Sequence, residues 1–185
     1  LKNPKSVSIL ETLYNSEMSG LMTQIIFKKA GSPYAPQAWT PHQDNSYVKN
    51  EKGLYVTTNF FLEEANEENG TLYVYPGSQV ESCLPINIDE DRLLTNPDDW
   101  RNERGKPCHI PGEWVDGVWT DRYEKVYLPM NSGDVIFLHS HVIHGSETNK
   151  SKTKWRRAAL GSYLRQDAHF NPGGQMKRER INLYE

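Results

Sequence analysis

Leu54-Tyr-Val-Thr-Thr-Asn-Phe-Phe-Leu62, the acidic stretch Glu63–Gly70, and Thr71-Leu-Tyr-Val-Tyr-Pro-Gly-Ser78 together decide the fold class. The first run is dominated by β-branched and aromatic residues, which suit a pleated, packed surface. Asn69-Gly70 favours a tight hairpin, so Thr71–Tyr75 is predicted to return beside the first strand before Pro76-Gly77-Ser78 closes it. Working outward, Val135–Leu138 follows the turn Asn131-Ser-Gly-Asp134, and Ala158–Arg165 reads as a further strand. On the N-terminal side, Leu21–Phe27 is a short β-rich run that breaks at Gly31, Pro33 and Pro36. Trp39–Val48 reads as an irregular or edge strand, because Pro41 lies inside it. Only residues 5–18 carry helical spacing, through Val7, Leu10, Tyr14 and Met18, with Asn15 and Ser16 outward and Gly20 as the stop. Short strands separated by turn chemistry predict a mainly β protein, an antiparallel sandwich or barrel with one flanking helix.

Gln79–Met130 is of another kind: few periodic apolar residues, several prolines, and Trp100, Trp114 and Trp119. A stretch this long inside one domain is either functional or disordered, and it reads as a lid insertion with one short helix near Asp89–Leu94. Its tryptophans either pack the insertion down or face a substrate. Cys108-His109 lies within it; without a second pair at zinc spacing, it reads as structural.

The 185 residues are expected to form one domain. A formal charge of −3 argues against a nucleic-acid groove, and Lys177, Arg178 and Arg180, interleaved with Glu179, read as a solvated tail. Cys83 and Cys108 are too few for a disulfide framework and read as free thiols. No apolar run has the length of a signal peptide or of the ~20 residues that cross a bilayer, so a soluble cytoplasmic protein is expected. The chain starts at Leu1 without Met, which leaves room for a preceding segment.

Of the six histidines, His42 is the informative one, because it sits in His42-Gln43-Asp44. In extended backbone, residues i and i+2 share a side, so the imidazole and the carboxylate are expected to face one point. A third nitrogen would complete a two-His-one-carboxylate facial triad, which leaves metal positions open for other ligands. The segment Gly133–Ser146 offers His139, His141 and His144; the first two share a face by alternation, while His144 lies at a strand end. An oxoacid cosubstrate also needs a cation for its far carboxylate, and the planar fork of arginine matches that group best. Arg156 and Arg157 follow on the next strand, and alternation lets only one point inward.

At these residues the chain resembles the phytanoyl-CoA dioxygenase family. The likeness runs through Trp39-Thr-Pro-His42-Gln-Asp44, Asn69-Gly70-Thr-Leu-Tyr-Val-Tyr-Pro-Gly-Ser78, Gly133-Asp-Val-Ile-Phe137 and His144-Gly-Ser146, then Asn149 and the arginine pair. These motifs occur in the family's order and span residues 21 to 165. The resemblance implies a double-stranded β-helix (jelly-roll) core and an enzyme using Fe(II), 2-oxoglutarate and O2 to hydroxylate a small molecule, with release of succinate and CO2. It implies His42, Asp44 and His144 as metal ligands. Arg156 best matches the arginine that binds the cosubstrate's C5 carboxylate, with Arg157 still in play, and Ser146 matches a serine on the same group. Gln24 and Lys28 fall near further polar contacts, and Asn59 falls where some members carry a tryptophan beside the cosubstrate. Asp44 fills the position that related halogenases leave to a small residue, which favours hydroxylation. Two features depart from the pattern: Gln79 replaces the histidine that closes the family's PGSH, and most of the usual N-terminal region is missing. The competing readings are a cupin-type site, which would want His-x-His, and a jelly-roll metal-binding module without oxygenase activity.

Overall fold

The computed structural model describes residues 1–32, 35, 38–50, 53–85, 87, 88, 113–172 and 178–184. In chain order these contain α1 (Pro4–Tyr14), β1 (Met18–Lys28), β2 (Trp39–His42), α2 (Asn45–Val48), β3 (Tyr55–Phe61) and β4 (Leu72–Val74). There follow β5 (Asn87–Ile88), β6 (Glu113–Trp114), α3 (Gly117–Thr120), β7 (Val126–Tyr127), β8 (Val135–His139), β9 (His144–Ser146) and β10 (Arg156–Arg165). The strands build two four-stranded antiparallel sheets, ordered β1-β10-β3-β8 and β2-β9-β4-β7, with β5 and β6 as a separate pair. This is the expected jelly roll.

β3 lies inside the first sheet because both of its faces have work to do. Thr57, Asn59 and Phe61 point toward the second sheet, while Val56 points away and packs beneath Val7 and Leu10 of α1. Between the sheets, Phe61, Leu72, Leu138 and Ala158 form one apolar cluster. Tyr73 and Tyr75 lie on the outer side of the second sheet, where Leu84, Val115 and Trp119 cover them.

The hairpin expected at Asn69-Gly70 does not form: β3 and β4 belong to different sheets, and residues 62–71 carry the chain between them. Asn69 instead anchors that crossing, accepting from Asn66 N and donating to the carbonyls of Glu64 and Trp155. Gly70 sits at φ +84, and a Cβ there would meet the Glu147 carbonyl at 2.6 Å. The turn chemistry was real; the strand it served lay across the core.

α1 ends earlier than expected. Asn15 takes the left-handed conformation at the C-cap, and Gly20 lies inside β1, bridged to Ile181. A register shift between Gly20 and Met22 then turns the later even-numbered residues of β1 inward. Glu179 and Arg180 are exposed, as read, yet the chain beyond residue 178 is anchored: Ile181 pairs with Gly20, and Arg180 donates to Ser19 and to the Ala168 carbonyl; Lys177 lies outside the described residues. β7 falls within the stretch read as an insertion, yet it pairs with β4 as an edge of the second sheet. Trp119 packs on that sheet's outer side, 4.3 Å from the Arg122 guanidinium. The short helix expected near Asp89–Leu94, Trp100, Cys108 and His109 lie outside the described residues, as does the side chain of Trp114.

Candidate metal centre

His42 is the last residue of β2, and His144 is the first of β9; the two are direct partners across the antiparallel pair. Their rings come within 4.4 Å, centroid to centroid. Each ring donates through Nδ1 to the carbonyl two residues earlier, His42 to Thr40 at 2.7 Å and His144 to Val142 at 3.0 Å. That holds both rings in place and turns both Nε2 atoms away from their own backbones, the orientation a metal-binding histidine needs.

Asp44 reaches the same point by a route other than the one expected. Its backbone is helical (φ −59, ψ −27) at the entry to α2, so strand alternation does not align it with His42. A strand-to-helix turn does. The carboxylate leaves the helix end uncapped and places Oδ1 at 3.4 Å from His42 Nε2 and 3.6 Å from His144 Nε2. Oδ2 accepts from the Thr57 hydroxyl at 2.5 Å. Burial alone would push this carboxyl up; the His144 and His42 imidazoles and the Thr57 hydroxyl outweigh it and hold Asp44 well below the usual carboxylate range. Burial pushes His144 below the usual imidazole value, against the pull of the Asp44 carboxylate. Among the described residues, these three form the one group whose ligand atoms all lie within 4.8 Å of one another. Donors about 2.1 Å from a common metal, at right angles, lie roughly 3 Å apart, so the set closes on an ion with little movement.

His139 and His141 stay out of this group. His139 is opposite Val56 and shares its outward side, whereas the inward side of β8 carries Ile136 and Leu138. After His139 the chain turns, and His141 Nε2 pairs with the Asn45 amide at 2.7 Å. Gln43 points away from the pair that flanks it. Its amide donates to the His141 carbonyl and accepts from Leu84 N, which ties the His-x-Asp turn to the start of the insertion.

A second cluster is built on the first sheet. Lys28 and Arg156 are partners across β1 and β10, at 0% and 1% exposure. Lys28 Nζ donates to Ser146 Oγ at 2.8 Å and to the carbonyls of Gly70 and Glu147, which uses all three of its donors. Burial and the adjacent guanidinium pull Lys28 down to about 6, against the Glu147 carboxylate. Arg156 donates through Nε to Gly70 O at 3.0 Å, while its Nη2 is buried without an acceptor. Arg157 faces outward and pairs with Glu63 at 2.7 Å. Between the two clusters runs a row of cross-strand partners, Gln24, Leu160, Asn59 and Ile136. No hydrogen bond of the Gln24 or Asn59 amide is found among the described residues.

Sequence reasoning missed Thr57 and the structural use of Gly70. Thr57 carried a signal of sorts, since its side of β3 also holds Asn59; nothing local tied it to Asp44.

The phytanoyl-CoA dioxygenase (PhyH) family model matches residues 4–158. Human peroxisomal phytanoyl-CoA dioxygenase is 25% identical over 170 residues, covering 90% of this chain and 45% of the human protein. The L-proline trans-4-hydroxylase of Streptomyces griseoviridis is 26% identical over 153 residues, covering 80% of this chain and 55% of the relative. Among solved structures, the epimerase SnoN of nogalamycin biosynthesis, determined with Fe3+, alpha ketoglutarate and nogalamycin RO, superposes with a TM-score of 0.66. It shares 19% identity, and the match covers 100% of this chain and 69% of SnoN; at that identity the likeness shows the fold. The chain spans about half the length of the curated relatives it matches.

Proposed function

The chain belongs to the phytanoyl-CoA dioxygenase family, and from that membership and the geometry of its two clusters we propose that it is an Fe(II)- and 2-oxoglutarate-dependent oxygenase that hydroxylates a small molecule. The observation that carries the proposal is the convergence of His42 Nε2, Asp44 Oδ1 and His144 Nε2, with both imidazoles already turned by their own backbones. Two neutral nitrogens and one carboxylate oxygen suit Fe(II) and leave positions open, unlike the closed sulfur-rich sets of structural zinc. Bound together, iron and 2-oxoglutarate supply O2 activation coupled to decarboxylation of the cosubstrate, giving succinate and CO2.

The residues of the chain do the rest. Arg156 offers its buried, unpaired Nη2 to the cosubstrate's far carboxylate, an anion that would satisfy the donor and neutralise the charge. Ser146 stands beside it, oriented by Lys28. With its donors taken by protein oxygens, Lys28 acts by fixing Gly70 and Ser146. The amides of Gln24 and Asn59 face the space between the clusters and complete the cosubstrate's polar contacts. The apolar residues around them, Leu160 and Ile136, keep water away. Succinate release from 2-oxoglutarate that depends on Fe(II), and that is lost in Asp44→Ala, tests the proposal; release that survives without added iron would overturn it.

A further inference from the structure

The two oxygens of Asp44 are treated differently by the fold. Oδ1 faces both imidazoles, whereas Oδ2 is held by the Thr57 hydroxyl at 2.5 Å, a length typical of a hydroxyl bound to a charged carboxylate. Thr57 is in no position to wander: it is 4% exposed and is paired on both sides, with Ser162 of β10 and Leu138 of β8. The hydroxyl is therefore mounted on one of the best-anchored residues of the sheet opposite the two histidines. Its neighbour Thr58 uses its own hydroxyl on the Gly161 carbonyl, so the two threonines are not interchangeable.

A carboxylate can grip a metal through one oxygen or through two. Gripping through two would fill a position that the facial triad leaves open, and a chelating cosubstrate together with O2 needs all of those positions. We propose that Thr57 is a positioning residue that holds Asp44 to a single ligand oxygen and so preserves the position that 2-oxoglutarate occupies. This rests on the reading of the triad as an Fe(II) and 2-oxoglutarate site. Without the hydroxyl, Oδ2 loses the hydrogen bond that holds it away from the two imidazoles, and turning onto the metal would replace it.

The test is an anaerobic titration of the Fe(II)-loaded protein with 2-oxoglutarate, read by the visible charge-transfer absorption of the chelate. Fe(II) affinity is measured separately by equilibrium dialysis. Wild type, Thr57→Ser, Thr57→Val and Thr57→Ala are compared, with circular dichroism to confirm folding; the alanine variant serves if the valine variant is unfolded. The expected result is an Fe(II) affinity within about threefold of wild type throughout, because a second carboxylate oxygen on the metal offsets the lost hydrogen bond. The affinity for 2-oxoglutarate falls at least tenfold in Thr57→Val or Thr57→Ala and returns to within about threefold in Thr57→Ser. Wild-type 2-oxoglutarate affinity in the valine variant would overturn the proposal. So would an equal loss in the serine variant, which would make the role one of packing, or loss of Fe(II) itself in the valine variant. Absence of the charge-transfer band in wild type would sink the oxygenase reading as well, so the two failures are told apart.

Discussion

Arg156 and Arg157 are chemically alike, adjacent, and separated in role by the two-residue period of β10. One points between the sheets beside Lys28; the other pairs with Glu63 at the surface. Arg156→Ala is expected to weaken 2-oxoglutarate binding about 30-fold, the worth of about 2 kcal/mol for hydrogen bonds to a charged group. Arg157→Ala is expected to leave it unchanged; isothermal titration of the Fe(II)-loaded protein separates them, and equal losses would refute the assignment. A similar contrast holds among the histidines. His144→Ala should lose Fe(II)-dependent turnover and His141→Ala should keep it, since the His141 ring is engaged with Asn45; the reverse result would move the third ligand. At this scale much was legible: a carboxylate two residues from a histidine and an arginine pair on a strand are local patterns. Which of His139, His141 and His144 converges with them was not legible from alternation. That depended on a turn at residues 140–143 and on pairing with β2, contacts between positions about a hundred residues apart. Thr57 escaped notice for the same reason.

The β-branched and aromatic content of residues 55–61 and 72–74 marks β3 and β4 as strands, but nothing in it says that the link between them crosses from one sheet to the other. Asn-Gly reports a backbone that must take positive φ, and it does so equally in a hairpin and in a crossing between sheets. Gly70 is the instructive residue. Its positive φ turns the carbonyl toward Lys28 and Arg156, and its missing Cβ lets the Glu147 backbone approach. Gly70→Ala is therefore expected to cost about 2–3 kcal/mol, or roughly 5–10 °C in Tm, by thermal unfolding in the absence of ligand. An unchanged Tm would show that the crossing has slack the geometry denies. The short helix α2 is another element that sequence periodicity did not reveal. Asn45-Ser-Tyr-Val48 is a single turn, too short to carry a helical pattern, yet it swings Asp44 onto the imidazoles.

Across the whole molecule, several buried groups favour the unprotonated form. Burial pushes His144, His139 and His141 below their ordinary value, and pulls Lys28 down more strongly. For a base whose pKa is lowered by folding, the unfolded chain takes up protons first as the pH falls. Stability therefore rises with pH and is lost on the acid side. For the histidines the loss begins near the ordinary imidazole value of about 6.5 and continues downward. Lys28 adds a slope in the same direction from its ordinary value down to about 6. The Tm of the metal-free protein is thus expected to fall between pH 7 and pH 5, and a flat profile would count against neutral imidazoles in the folded state. The arginine cluster is built on the first sheet and the two histidines of the triad on the second, and the account stands or falls with the triad. Equilibrium dialysis against Fe(II) under anaerobic conditions addresses it most directly, with wild type beside an Asp44→Ala variant whose circular dichroism is unchanged. The expected result is one iron per chain in wild type and none in the variant; iron retained by the folded variant would contradict the centre built from His42, Asp44 and His144.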